Sequence, residues 1–332
     1  MYLYIFRIVV FWQLQKSVLS NTSSSINYIV TDSDDNETPQ NGFVIFSSQP
    51  LNAVSVTDKV ATLFKGLFSF SYPVDILRIQ NCSVVEIDPD FLYGQEITNL
   101  HIIRNNIKVI RTHSFRNLVL KSIDLSKNGI LAIEDMAFVN LSNLEEIRLS
   151  TNKLTVFNSR AFASLPKLHL MSLMTNKISH LGPSSLDFVQ KNNFALHLLY
   201  NRITYIDDNV FKGLSVEDVA ITLDKNLLEE ISVNIFHNHT FDLVSLRKNK
   251  IRTLTGNLSA QNFRIKLMDI DDTIDKKAFK QIQAWTAWNN ITLECWGCLS
   301  ETEKNFAQPL RLQNSFLMVF CTLVYKCLSG LC

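Results

Sequence analysis

The chain has 332 residues, 46% hydrophobic and 19% charged, which is enough apolar material for one large domain or two ordinary ones and excludes wholesale disorder. Thirty-two Lys and Arg against 31 Asp and Glu leave a net charge of +1, without the clustered basic excess that a nucleic-acid binder needs. Glycine is scarce, at 9 residues, which argues against glycine-rich phosphate loops.

Residues 1–20 read as a secretory signal peptide: positions 2–12 are apolar apart from Arg7, and Val18, Leu19 and Ser20 precede a tolerable cut. A secreted, extracellular chain is therefore expected. Candidate glycosylation sequons at Asn81, Asn140, Asn238, Asn257 and Asn290 agree with export, as do those at Asn21 and Asn36. Residues 21–41 are rich in Ser, Asn and Asp and read as a flexible leader. The acidic stretch 32–37 reads as a solvated linker in preference to a calcium loop. Residues 42–73 carry an apolar pattern without the repeat that follows and are expected to cap it.

From residue 74 one template recurs. Leu100-x-Ile102-x-x-Asn105-x-Ile107 is matched by Ile123-x-Leu125-x-x-Asn128-x-Ile130 and by five further copies, the last being Val244-x-Leu246-x-x-Asn249-x-Ile251. An earlier copy, Leu77-x-Ile79-x-x-Cys82-x-Val84, has Cys in the Asn slot. The slot falls at 82, 105, 128, 152, 176, 201, 226 and 249, in steps of 23 to 25 residues. Such spacing predicts about eight coils, each with a short strand whose alternate residues point inward. The slot amide is placed to bond backbone groups that stacking would bury. Ten residues after the slot comes Phe115, Phe138, Phe162, Leu186, Phe211 or Phe236, a plug for the convex side. A single coil cannot bury its own apolar edge, so the coils must stack into a solenoid.

These copies resemble the leucine-rich repeat superfamily in its 24-residue animal type, over residues 74–265. The overall layout is also similar to arthropod extracellular repeat proteins akin to the non-catalytic subunit of shrimp luciferase. The resemblance implies an α/β solenoid: a horseshoe with a parallel concave β-sheet and an irregular or short-helical convex side.

Residues 266–332 are expected to form a cysteine-containing C-terminal cap, with a helix over 276–288. Its cysteines, Cys295, Cys298, Cys321 and Cys327, loosely resemble a four-cysteine flank of secreted relatives and are candidate disulfide partners, preferred over a zinc site in an exported chain. The apolar run 316–325 is too short to span a bilayer. It reads as a capping strand, with an anchor signal or a truncated end as alternatives, so membrane attachment is possible but not favoured.

The register assigns the concave face. Leu170, Met174, Ala195, Leu199 and Tyr200 are expected to form an apolar patch open to water, which marks a partner surface. Leu170, Met174, Leu199 and Tyr200, with Arg148, His197, Asp224 and Arg247, make up the candidate partner-binding set. Asn140 and Asn238 fall on the convex side, where glycans would leave the strands bare. His101 and His197 stand four coils apart, too far to share a metal, and no catalytic motif is present. The expectation is a non-enzyme without cofactor or metal that binds a protein ligand in adhesion, development or immunity, and no nucleic acid. The alternative is a stabilising subunit of a secreted enzyme complex. Homo-oligomerisation is left open.

Overall fold

The computed structural model describes residues 26–296, apart from 33, 35–36, 43–44, 48–50, 215 and 261–262. Its spine is a sheet of thirteen strands. Two, Ile26–Thr31 and Glu37–Gly42, form an antiparallel hairpin at one edge. The other eleven, from Leu51–Val56 to Thr292–Trp296, run parallel and make a solenoid of about ten turns. The inward column runs Val54, Leu77, Leu100, Ile123, Ile147, Met171, Leu196, Ile221, Val244 and Met268, each the Cα partner of the next. All ten side chains are buried.

The slot residues explain how the turns off the sheet pair their buried backbone groups. In the coil of Asn176, the side-chain Nδ2 donates to Leu173 O of its own coil and to Leu149 O of the coil before, both at 3.0 Å. Its Oδ1 accepts from the Leu154 N–H at 3.1 Å. The same three bonds recur at Asn152, Asn201, Asn226 and Asn249. Cys82 reproduces the donor part: its thiol donates to Val56 O at 3.3 Å and Gln80 O at 3.2 Å. Burial pushes that thiol up to about 11, so it stays protonated and able to donate.

The residue before each slot, from Asn81 to Lys248, has a left-handed backbone with φ of 55 to 58°, and none of them is glycine. A non-glycine residue in that region costs about 1–2 kcal/mol. Bonds to the next coil hold it there, such as Thr175 N–H to Leu199 O at 2.9 Å and Lys225 N–H to Arg247 O at 2.8 Å.

On the convex side the expected plugs stack: Phe115 on Phe138 at 5.0 Å between ring centroids, and Phe138 on Phe162 at 5.3 Å. Where Leu186 interrupts the series, Phe188 takes over, 5.0 Å from Phe162. This side is built from two-residue parallel ladders and single 3-10 turns.

The ends differ from the expectation. The segment read as a flexible leader contributes the edge hairpin, and the cap segment already forms the first parallel coil, in register with Val74–Gln80. That coil has Lys59 where the slot would fall. Its neighbour on the outer side is antiparallel, so no preceding coil offers the N–H that an asparagine would bond. At the other end the stack continues through Arg264–Asp271 and Thr292–Trp296, with Thr273 in the slot position. Between them the helix Lys276–Trp288 occupies its expected place. Asp275 caps it by accepting from the Lys277 N–H at 2.8 Å, and Trp285 buries its ring 4.9 Å from Phe263. Residues 1–20 and the apolar run 316–325 lie outside the described residues.

Truncating Asn176 leaves the Leu154 N–H unpaired, worth about 1–3 kcal/mol when buried, while Leu149 O and Leu173 O each keep a second donor in Asn152 and Asn201. Asn176→Ala is therefore expected to lower unfolding free energy by about 1–3 kcal/mol in urea denaturation. A loss below about 1 kcal/mol would show that the ladder does not hold the coils.

Candidate binding face

Three side-chain columns line the concave face because parallel in-register strands repeat the same outward positions every coil. The middle column runs Arg148, Ser172, His197, Thr222, Ser245, Asp269 and Glu294. Its members bond sideways from coil to coil. The Ser172 hydroxyl meets that of Ser150 at 2.7 Å, and His197 Nδ1 lies 3.1 Å from Thr222 Oγ1. Burial pushes the His197 imidazole down to about 4, so it is neutral at physiological pH. His101 is also pushed down, chiefly by burial, with Asp124 opposing and Arg78 and Arg148 reinforcing.

Towards the C-terminal end this face becomes a charged cluster. Arg247 is seated between two carboxylates: Nη2 is 3.4 Å from Asp224 Oδ2, and Nε is 3.2 Å from Asp269 Oδ2. The Ser245 hydroxyl donates to Asp224 Oδ1 at 2.6 Å, and the Arg247 N–H donates to the same oxygen at 2.9 Å. The guanidinium lies 5.8 Å from the Trp296 ring. Beside it Lys248 Nζ pairs with the buried Asp271 Oδ2 at 3.3 Å. Asp269 is pushed up to about 7, first by burial and then by Asp224 and Glu294, against the pull of Arg247. Its Oδ1 is buried without a hydrogen-bond partner. Asp224 is raised too, again chiefly by burial.

Of the candidate partner-binding set, Asp224 and Arg247 are thus brought together. Arg148 is half-buried and paired with Glu146 of its own strand at 2.5 Å. The apolar patch is less open than expected: Leu170 is partly exposed, but Met174 is only 8% and Leu199 6% exposed, and Ala195 is buried. The reason is spacing. In-register strands about 4.8 Å apart press each of these side chains between the equivalents of the neighbouring coils. Tyr200, 37% exposed, stands on the flank after the strand, where its left-handed backbone places it. Lys225 lies over its ring at 4.1 Å.

Asp269, Glu294 and Trp296 were not among the predicted residues. The signal was present as one more template step, Met268-x-Ile270 followed by Thr273, hidden because the slot had changed residue type.

The five sequon asparagines Asn81, Asn140, Asn238, Asn257 and Asn290 are all exposed, and Asn140 and Asn238 sit two residues after the convex Phe138 and Phe236. Cys295 is half-buried on the last strand; Cys298, Cys321 and Cys327 lie outside the described residues. His237 and His239 pack against Phe263 and Phe211.

A family model described as "Leucine rich repeat" matches residues 119–178, and one described as "BspA type Leucine rich repeat region (6 copies)" matches residues 16–118 and 187–294, more than half of the chain. No curated protein matches. Among solved structures, the LRIM1/APL1C complex is similar with a TM-score of 0.47 and 14% identity, over 82% of this chain and 53% of that one. The TLR13–ssRNA13 complex is similar with a TM-score of 0.42 and 20% identity, over 70% and 41%. The chain thus spans about half the length of these solved chains or less.

The raised Asp269 yields a signed pH dependence. A carboxyl whose folded pKa lies above its unfolded value stabilises fully below the unfolded value, near 4, and that contribution is lost as pH rises through about 7. The stability of the wild-type chain minus that of Asp269→Asn should therefore fall between pH 4 and pH 7.5 in denaturant titrations. A constant difference would show that Asp269 titrates in the folded chain as it does in the unfolded one.

Proposed function

Because this chain belongs to the leucine-rich-repeat family, we propose that it is a secreted or cell-surface module that holds a protein ligand against its concave face, in adhesion, development or immune recognition. The observation that carries this reading is the concave cluster of Asp224, Ser245, Arg247, Asp269 and Trp296. It gathers a partly exposed guanidinium, two carboxylates and an exposed indole on one rigid sheet. Arg and Trp are the residue types that dominate binding hot spots. Buried carboxylates hold Arg247 in one geometry, so little side-chain entropy remains to be lost on association.

Export is supported by the N-terminal apolar segment and by five exposed sequon asparagines, two of them on the convex side away from this cluster. The cysteines at 295, 298, 321 and 327 are proposed to form disulfides that close the last coil.

The test is capture from extracellular fluid with the purified chain as bait. A stoichiometric protein partner is expected, retained after the convex change Arg160→Glu but weakened at least about tenfold by the concave pair Leu170→Glu and Arg247→Glu. Circular dichroism should show all baits folded. Equal retention by concave and convex variants would refute the choice of face. A partner with enzymatic turnover would instead favour a stabilising subunit.

A further inference from the structure

The left-handed residue before each slot, together with the alternating residues after it, forms a second surface along the flank of the sheet. From the slot at 105 to that at 249, positions one before to three after the slot hold ten of the chain's 32 Lys and Arg, against one acid, Glu229. Six consecutive coils contribute Lys127, Lys153, Lys177, Arg202, Lys225 and Lys250, all exposed. Backbone bonds keep them in step: the Lys153 N–H donates to Ile130 O and the Lys177 N–H to Leu154 O at 2.8 Å, and the Arg202 N–H donates to Ile178 O at 2.9 Å. Coils about 4.8 Å apart make this a line of cations roughly 24 Å long. Among the described residues Lys127, Lys153, Lys177, Arg202 and Lys250 have no ion-pair partner.

We propose that this ridge binds a sulfated linear polysaccharide, independently of the concave face. Charge complementarity calls for a polyanion with closely spaced charges. What lies between the cations selects the kind. Asn106, Thr151, Thr155, Thr175, Ser179 and Thr204 are exposed on the same ridge, small hydroxyl and amide groups suited to sugar hydroxyls and sulfate oxygens. Single-stranded nucleic acid draws its affinity from bases stacked on successive aromatic rings. The ridge offers only Tyr200 and Tyr205, within one coil. An acidic peptide would present side chains between its carboxylates that need apolar pockets, and between its cations the row presents mainly small polar groups. Lys outnumbers Arg, as suits freely oriented sulfates met as point charges.

The test uses heparin as probe on the full chain. Binding is expected at 150 mM NaCl, weakening roughly tenfold or more between 50 and 200 mM as counterions are released. The variant Lys153→Glu, Lys177→Glu, Arg202→Glu should lose at least tenfold in affinity. The control Lys121→Glu, Lys167→Glu, Lys191→Glu carries the same charge change at exposed positions off the ridge and should bind as the wild type does. Heparin should also shield Lys153 and Lys177 of the unaltered chain from acetylation, a readout that needs no variant. No binding at 150 mM NaCl, equal loss in both variants, or tighter binding of polyuridylate or polyglutamate than of heparin would each overturn the proposal. None of these outcomes bears on a protein ligand at the concave cluster.

Discussion

The structure depends on one hydrogen-bonding problem and its repeated solution. Where the chain leaves each concave strand it turns off the sheet between two other coils, and the carbonyls and N–H groups of that turn are sealed from water. A primary amide presents two donors and an acceptor from a single short side chain, which matches what Asn176 meets: Leu149 O, Leu173 O and the Leu154 N–H. The spacing of the asparagines therefore sets the spacing of the coils. Cys82 shows the limits of substitution, since a protonated thiol supplies the donor but not the acceptor.

Strict stacking has consequences for charge. Because every coil repeats the same path, any residue type favoured at one position becomes a line along the molecule. Buried polar groups on the concave side become a chain of lateral contacts, from Ser150 and Ser172 to Arg247 and its two carboxylates. The left-handed residues that end each strand and the positions up to three past the slot become a row along the flank, and ten cations gather there. A net charge of +1 is thus the sum of strongly unlike surfaces. Average charge therefore does not exclude a surface that favours polyanions.

The two surfaces also differ in rigidity. On the concave side Arg247 is gripped by Asp224 and Asp269, and His197 is held neutral by burial. On the ridge Lys127, Lys153, Lys177 and Lys250 are exposed and have no ion-pair partner among the described residues. The first arrangement suits a shaped ligand that must meet fixed groups, and the second suits a polymer whose charges can adjust to it.

The solenoid, its parallel sheet and the inward column from Leu77 to Val244 were legible in the sequence, because each coil uses the same slot residue for the same local bonds. The helix over 276–288 was expected too, and the structure shows its Asp275 cap. The first coil and the last two were not, since Lys59 and Thr273 stand where the asparagine would, and the coil of Lys59 has no parallel coil before it to bond. Nor could periodicity tell that Met174 and Leu199 would be covered, or that Asp269 would share Arg247 with Asp224. Local bonding repeats in the sequence and can be read there. Burial and shared charge arise between residues one coil apart, and only the stacked structure decides them.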